Sequence, residues 1–168
     1  MSQVRAQDRL QPALLDRLTD LDPQSSVEPA EQHVMSRARL REAVLRDLSW
    51  LFNATAHSRD GVLEDYPHAR HSVLNYGLPP LSGQTASSID PPALEALVKR
   101  AILDHEPRIL AETLRVEALV SDMQLDHHNQ ISFRISGQLW AQPVPMELLL
   151  HTAIDLETGR VEIKELAR

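Results

Sequence analysis

Glu106-Pro107-Arg108 sets a carboxylate and a guanidinium on either side of a proline, where a helical pattern gives way to an alternating one. Residues of these types can do three kinds of work. The carboxylate can carry acid–base chemistry. The guanidinium can hold a partner carboxylate or strand-end carbonyls with paired hydrogen bonds. The proline can end a helix, because it disfavours the helical conformation at Glu106. Sugar hydrolysis would require a second acid roughly 5 to 10 Å away across a cleft. Glu64, Asp65 and Glu112 are the other candidates. Arg108, however, favours the ionised form of Glu106, the wrong form for a general acid. Aromatic residues, the platforms on which sugars stack, make up 4% of the chain. A peptidoglycan-cleaving, lysozyme-like glycoside hydrolase is therefore the alternative reading, and its signature would be lytic activity that is lost in Glu106→Gln.

Other chemistries find less support. His127 and His128 are adjacent and point apart on any regular element, and of His57, His68 and His71 only the last two share a helical face. They read as solvated histidines, and no metal or other cofactor is expected. No phosphate-cradling loop, zinc-protease helix or serine-hydrolase elbow occurs. The chain lacks cysteine, which excludes disulfides and thiolate metal sites. A net charge of −7 argues against a nucleic-acid partner. The arginines at 37, 39, 41 and 46 do not change this, since they point to different sides of a helix with Glu42 and Asp47 between them. No apolar run approaches the ~20 residues that span a bilayer, and the N-terminus lacks a signal-peptide core, so a cytoplasmic location is expected.

The elements that must position Glu106 and Arg108 follow from periodicity. Residues 1–33 read as a flexible segment with one short helical turn, Pro12 to Asp20, and residues 34–168 as a single domain. Leu40, Val44, Leu48 and Leu51 or Phe52 recur at spacings of three and four, predicting a helix over Val34–Phe52. A short helix is expected around Pro67–Leu74, followed by a turn at Asn75-Tyr76-Gly77. Asp90 and Pro91 open the next helix, whose apolar face is Leu94, Leu97, Val98, Ala101 and Ile102. After Pro107 the period falls to two, predicting strands over Ile109–Val120, Ile131–Gln142, Pro145–Asp155 and Arg160–Leu166, the last pair joined by a Gly-containing hairpin loop. Short connections force antiparallel pairing. The fold class is α+β, with N-terminal helices packed on a four-stranded antiparallel β-meander.

Four stretches, "PALLDRLTD", "SVLNYGLPPLSG", Glu106-Pro107-Arg108 and "HTAIDLETGRVEI", occur in an order that resembles the TssE family. These are type VI secretion baseplate subunits, related to the lysozyme-like wedge proteins of contractile phage tails. The likeness runs from about Pro12 to Ile163; one departure is the second proline of "GLPPL", where the family more often carries an acid. The resemblance implies a structural, non-enzymatic subunit. Its place would be the baseplate wedge beside TssF, TssG and TssK, docked on the inner face of the cell envelope. It also implies that the sheet imitates part of a sheath subunit, so that the TssB–TssC sheath grows from it by strand addition. A meander offers two edges for this, the Ile109–Val120 and Arg160–Leu166 strands. The expected protein contacts are Glu106, Pro107 and Arg108 at the helix–strand junction, with Arg160, Glu162 and Lys164 on the last strand.

Overall fold

The computed structural model describes residues 12–19, 24, 35–57, 62–63, 65–81, 83, 89–119 and 130–166. The expected boundary near residue 33, the histidines at 127 and 128, and Glu64 lie outside them.

Helix α1 spans Leu14–Leu18, and its Leu14, Leu15 and Leu18 are all exposed. Helix α2 spans Arg37–Asn53. It begins later than its apolar period suggests because Ser36 caps it, the hydroxyl accepting from the Arg39 amide at 3.2 Å. The predicted stripe of Leu40, Val44, Leu48, Leu51 and Phe52 is buried throughout. The short helix α3 covers Pro67–Arg70, and a 3-10 turn follows at Val73–Asn75. Helix α4 spans Pro91–His105, with Asp90 at the N-cap position. The Asp90 side chain makes no capping bond, so the start rests on Pro91, whose fixed φ suits the first helical position. Leu94, Val98, Ala101 and Ile102 are buried as expected, while Leu97 falls on the flank of the stripe and is exposed.

The sheet comprises β1 (Arg115–Leu119), β2 (Gln130–Leu139), β3 (Met146–Asp155) and β4 (Val161–Glu165), in the order β1-β2-β3-β4 and antiparallel throughout. The α+β meander is thus as the periodicity predicts. Alternation places Ile131, Phe133, Ile135 and Leu139 of β2, and Met146, Leu148, Leu150 and Ile154 of β3, in one core with α2 and α4. The opposite row Glu117, Arg134, His151 and Lys164 runs across all four strands on the other face.

The first strand differs from expectation. Ile109 makes a single bridge to Leu139, and the chain then turns through a 3-10 segment at Ala111–Thr113 before β1 begins. Thr113 accounts for the turn. Its hydroxyl donates to the Leu110 carbonyl at 2.7 Å and accepts from the Gln138 amide at 2.9 Å, standing in for a ladder partner.

Asn75-Tyr76-Gly77 forms a packed turn. The Leu78 amide donates to Ala54 O at 3.0 Å, and Leu78 O accepts from the Ala56 amide at 2.9 Å, closing the end of α2 onto this loop. Gly77 sits there at φ +123, where a Cβ would lie 2.3 Å from Ala54 O. Both the conformation and the space require glycine. Gly77→Ala should therefore lose roughly 1–3 kcal/mol and several degrees of melting temperature. An unchanged melting curve would show that the α2–loop contact yields freely.

Candidate protein-contact site

Pro107 ends α4, and Glu106 occupies its C-cap position with its amide still donating to Ile102 O at 2.8 Å. This turns the Glu106 side chain inward, where it is 3% exposed. A carboxylate so buried needs a cation. Arg108 supplies it bidentately: Nε donates to Oε1 at 2.6 Å and Nη2 to Oε2. The Arg108 amide also donates to Oε1, at 3.2 Å. The same Nη2 reaches across to Asp47 Oδ2 of α2 at 2.5 Å. Burial opposes the charge on Arg108, but the bonds to Glu106 and then to Asp47 outweigh it and hold its pKa above the ordinary arginine value. The guanidinium is permanently charged.

The network continues through α2. Arg46 Nε donates to Asp47 Oδ1 at 2.9 Å, and Arg46 Nη1 pairs with Asp16 of α1 at 2.6 Å. The Asp16 bond, opposed by burial and aided by Asp47, raises the Arg46 pKa. The Arg46 guanidinium also lies over the Trp50 ring, 5.0 Å from its centroid. Tyr76 closes the other side, its Oη donating to Asp47 O at 3.4 Å and its ring meeting His105 edge-on. Burial first, then Asp47 and Glu106, push the Tyr76 phenol pKa upward.

Of the expected contact residues, Glu106 and Arg108 are thus already engaged with each other inside the chain. Pro107 is exposed, and the Arg108 side chain remains 22% exposed. Glu162 and Lys164 of β4, with Arg160 just before it, form a separate group, and Glu162 and Lys164 pair at 3.8 Å on the open face. The structure does not join the two groups directly.

The geometry of β4 comes from its ladder. The Asp155 amide donates to Arg160 O at 2.9 Å, and the Leu166 amide to Leu149 O at 3.0 Å. Both are hydrogen-bonded pairs, so Arg160, Glu162, Lys164 and Leu166 turn their backbone groups toward β3. Val161, Ile163 and Glu165 turn theirs outward. Asn53, the last residue of α2, takes the first of these: Nδ2 donates to Val161 O at 3.0 Å, and Oδ1 accepts from the Val161 amide at 3.0 Å. On the opposite edge, Glu95 of α4 accepts from the Ala118 amide at 2.6 Å. Sequence reading names neither Asn53 nor Glu95, since an edge cap is visible only once strand register is known. It reads the helix surface carrying Arg46 and Asp47 as solvated and salt-bridged, and the two are paired at 2.8 Å.

The family model described as Baseplate wedge protein gp25 matches residues 38–144. The chain belongs to this baseplate wedge family. The match begins in α2, contains Glu106, Pro107 and Arg108, and stops before β3. No curated protein and no solved structure matches the chain. Among the described residues of this baseplate wedge protein, no helix is long and apolar enough to cross a membrane.

Two outcomes follow from the network. Arg108→Ala leaves Glu106 buried without its cation, so stability should fall by roughly 3 kcal/mol. Adding Glu106→Gln should restore part of the loss in denaturant titrations. A single variant as stable as the parent would show that Glu106 escapes to solvent. The second outcome concerns pH. The folded Tyr76 pKa lies above its unfolded value of about 10, so its contribution is complete below that value and declines as pH rises toward the folded pKa. Tyr76→Phe should flatten the loss of stability above about pH 10, and an unchanged slope would exclude Tyr76 as its source.

Proposed function

We propose that this baseplate wedge protein is a non-enzymatic structural subunit of a type VI secretion baseplate, and that it seeds the contractile sheath by accepting a strand at β4. Family membership supports the baseplate role. The observation that carries the sheath reading is the outward ladder of β4. Among the described residues, nothing takes the outward N–H and C=O groups of Ile163 and Glu165, and unpaired backbone groups at a sheet edge are a template for an incoming strand. The β1 edge is the other candidate, and there Glu95 holds the Ala118 amide. An incoming strand from the TssB–TssC sheath would add main-chain bonds worth about 1 kcal/mol each.

The partners on the other side are TssF, TssG and TssK, in the cytoplasm at the inner face of the envelope. Pro107 and the partly exposed Arg108 side chain are the surface proposed for them, with Arg160, Glu162 and Lys164 flanking the sheath-facing edge. In this reading Arg108 braces Glu106 and Asp47 within the chain and so holds the contact surface in place. The commitment of the Glu106 carboxylate to Arg108 supports a structural rather than a hydrolytic role.

Proline at Ile163 removes an outward N–H without touching a β3–β4 ladder bond. Ile163→Pro should still enter the wedge yet start almost no sheaths, counted by fluorescence microscopy of a labelled sheath subunit. Ile163→Val, which keeps the amide, should behave as the parent. Normal sheath numbers with a folded Ile163→Pro protein would remove β4 as the template and turn attention to β1.

A further inference from the structure

The β4 edge is bracketed by side chains of a single helix. Near one end of α2, Arg41 pairs with Glu165 at 3.1 Å and its Nη2 donates to Glu147 O at 2.8 Å, on the stretch of β3 beyond the Leu149–Leu166 pair. At the other end, Asn53 saturates the outward N–H and C=O of Val161. The Asn53 carboxamide turns one N–H and its oxygen to Val161, the same pair that an added strand would offer, while its Nδ2 also donates to Ser49 O at 2.8 Å. Asn53 therefore occupies the place of one residue of that strand. Arg41 differs in kind, since it binds side chain and β3 carbonyl and leaves the outward groups of Ile163 and Glu165 untouched.

We propose that Asn53 is a register stop for strand addition at β4: an incoming extended segment pairs with Ile163 and Glu165 and is halted at Val161 by the carboxamide. The proposal rests on the reading of β4 as the accepting edge. It adds what that reading lacks, a reason for one register over its neighbours. Main-chain hydrogen bonds alone do not distinguish a strand from the same strand displaced by two residues, which keeps its side-chain faces. A fixed obstacle on one side of the open pairs does distinguish them. Asn53 is a positioning residue, acting through the Val161 backbone rather than by touching the partner's side chains. The occupant fitted to this gap is a short extended segment whose own backbone groups are free, two ladder pairs long before it meets Asn53.

The test is hydrogen–deuterium exchange resolved to single amides, on the full chain alone and after adding the TssB–TssC complex. In the parent protein alone, the Val161 amide should exchange roughly tenfold more slowly than those of Ile163 and Glu165. The sheath complex should protect Ile163 and Glu165 and leave Val161 as it was. In Asn53→Ala the Val161 amide should speed up roughly tenfold in the free chain, and then gain protection when the sheath complex is added, because the ladder now extends past the former stop. Asn53→Asp keeps the acceptor and loses the donor, and provides a milder variant in which Val161 stays slow in the free chain. Protection absent from Ile163 and Glu165 in every protein overturns the β4 reading and the register stop with it. Protection at those two amides, with Val161 of Asn53→Ala still exchanging freely beside the sheath complex, overturns the register stop alone.

Discussion

Backbone polar groups at the rim of a sheet must be satisfied, and in a meander the rim has two sides. That constraint organises much of this molecule. Helices α2 and α4 bury their apolar stripes on one face of the sheet, and each also sends a polar side chain to an edge. Asn53 closes Val161 on β4, and Glu95 closes the Ala118 amide on β1. The helices therefore do more than roof a core. They decide how much of each strand stays available.

The second organising feature is the joint at the end of α4. Pro107 forces the chain out of helix, Glu106 turns inward, and Arg108 returns to hold it while gripping Asp47. The Arg108 carbonyl meanwhile accepts from the Trp140 amide at 2.7 Å, tying the same residue to the end of β2. One residue thereby connects both long helices to the sheet. The exposed proline sits on the outside of that joint, while the guanidinium is turned into it.

Much of this was legible in the sequence. The period of three and four over Leu40–Phe52, the period of two after Pro107, and the short turns suffice for an α+β meander in the observed order. The 3-10 turn at Ala111–Thr113 was not legible, because it depends on Thr113 meeting Gln138, residues that come together only after β2 has folded back. The same holds for the inward orientation of Glu106. Its partner Arg108 is close in sequence, but its depth follows from Asp47 and Tyr76 lying opposite. Asn53 and Glu95 are the clearest case: polar residues on helices are common, and only the parity of a strand reveals which of them face a bare amide.

The ions at the joint alternate in sign from α1 to α4: Asp16, Arg46, Asp47, Arg108, Glu106. Such a series constrains how the sequence can drift. Removing Arg46 leaves Asp16 beside Asp47, removing Arg108 leaves Asp47 beside Glu106, and removing Asp47 leaves two guanidinium groups in proximity. Each interior loss brings like charges together, which costs energy in a partly buried setting. Neutral replacements are therefore accessible in adjacent pairs, an anion with its cation, rather than one at a time. Relatives that have lost one of these charges should have lost its neighbour too.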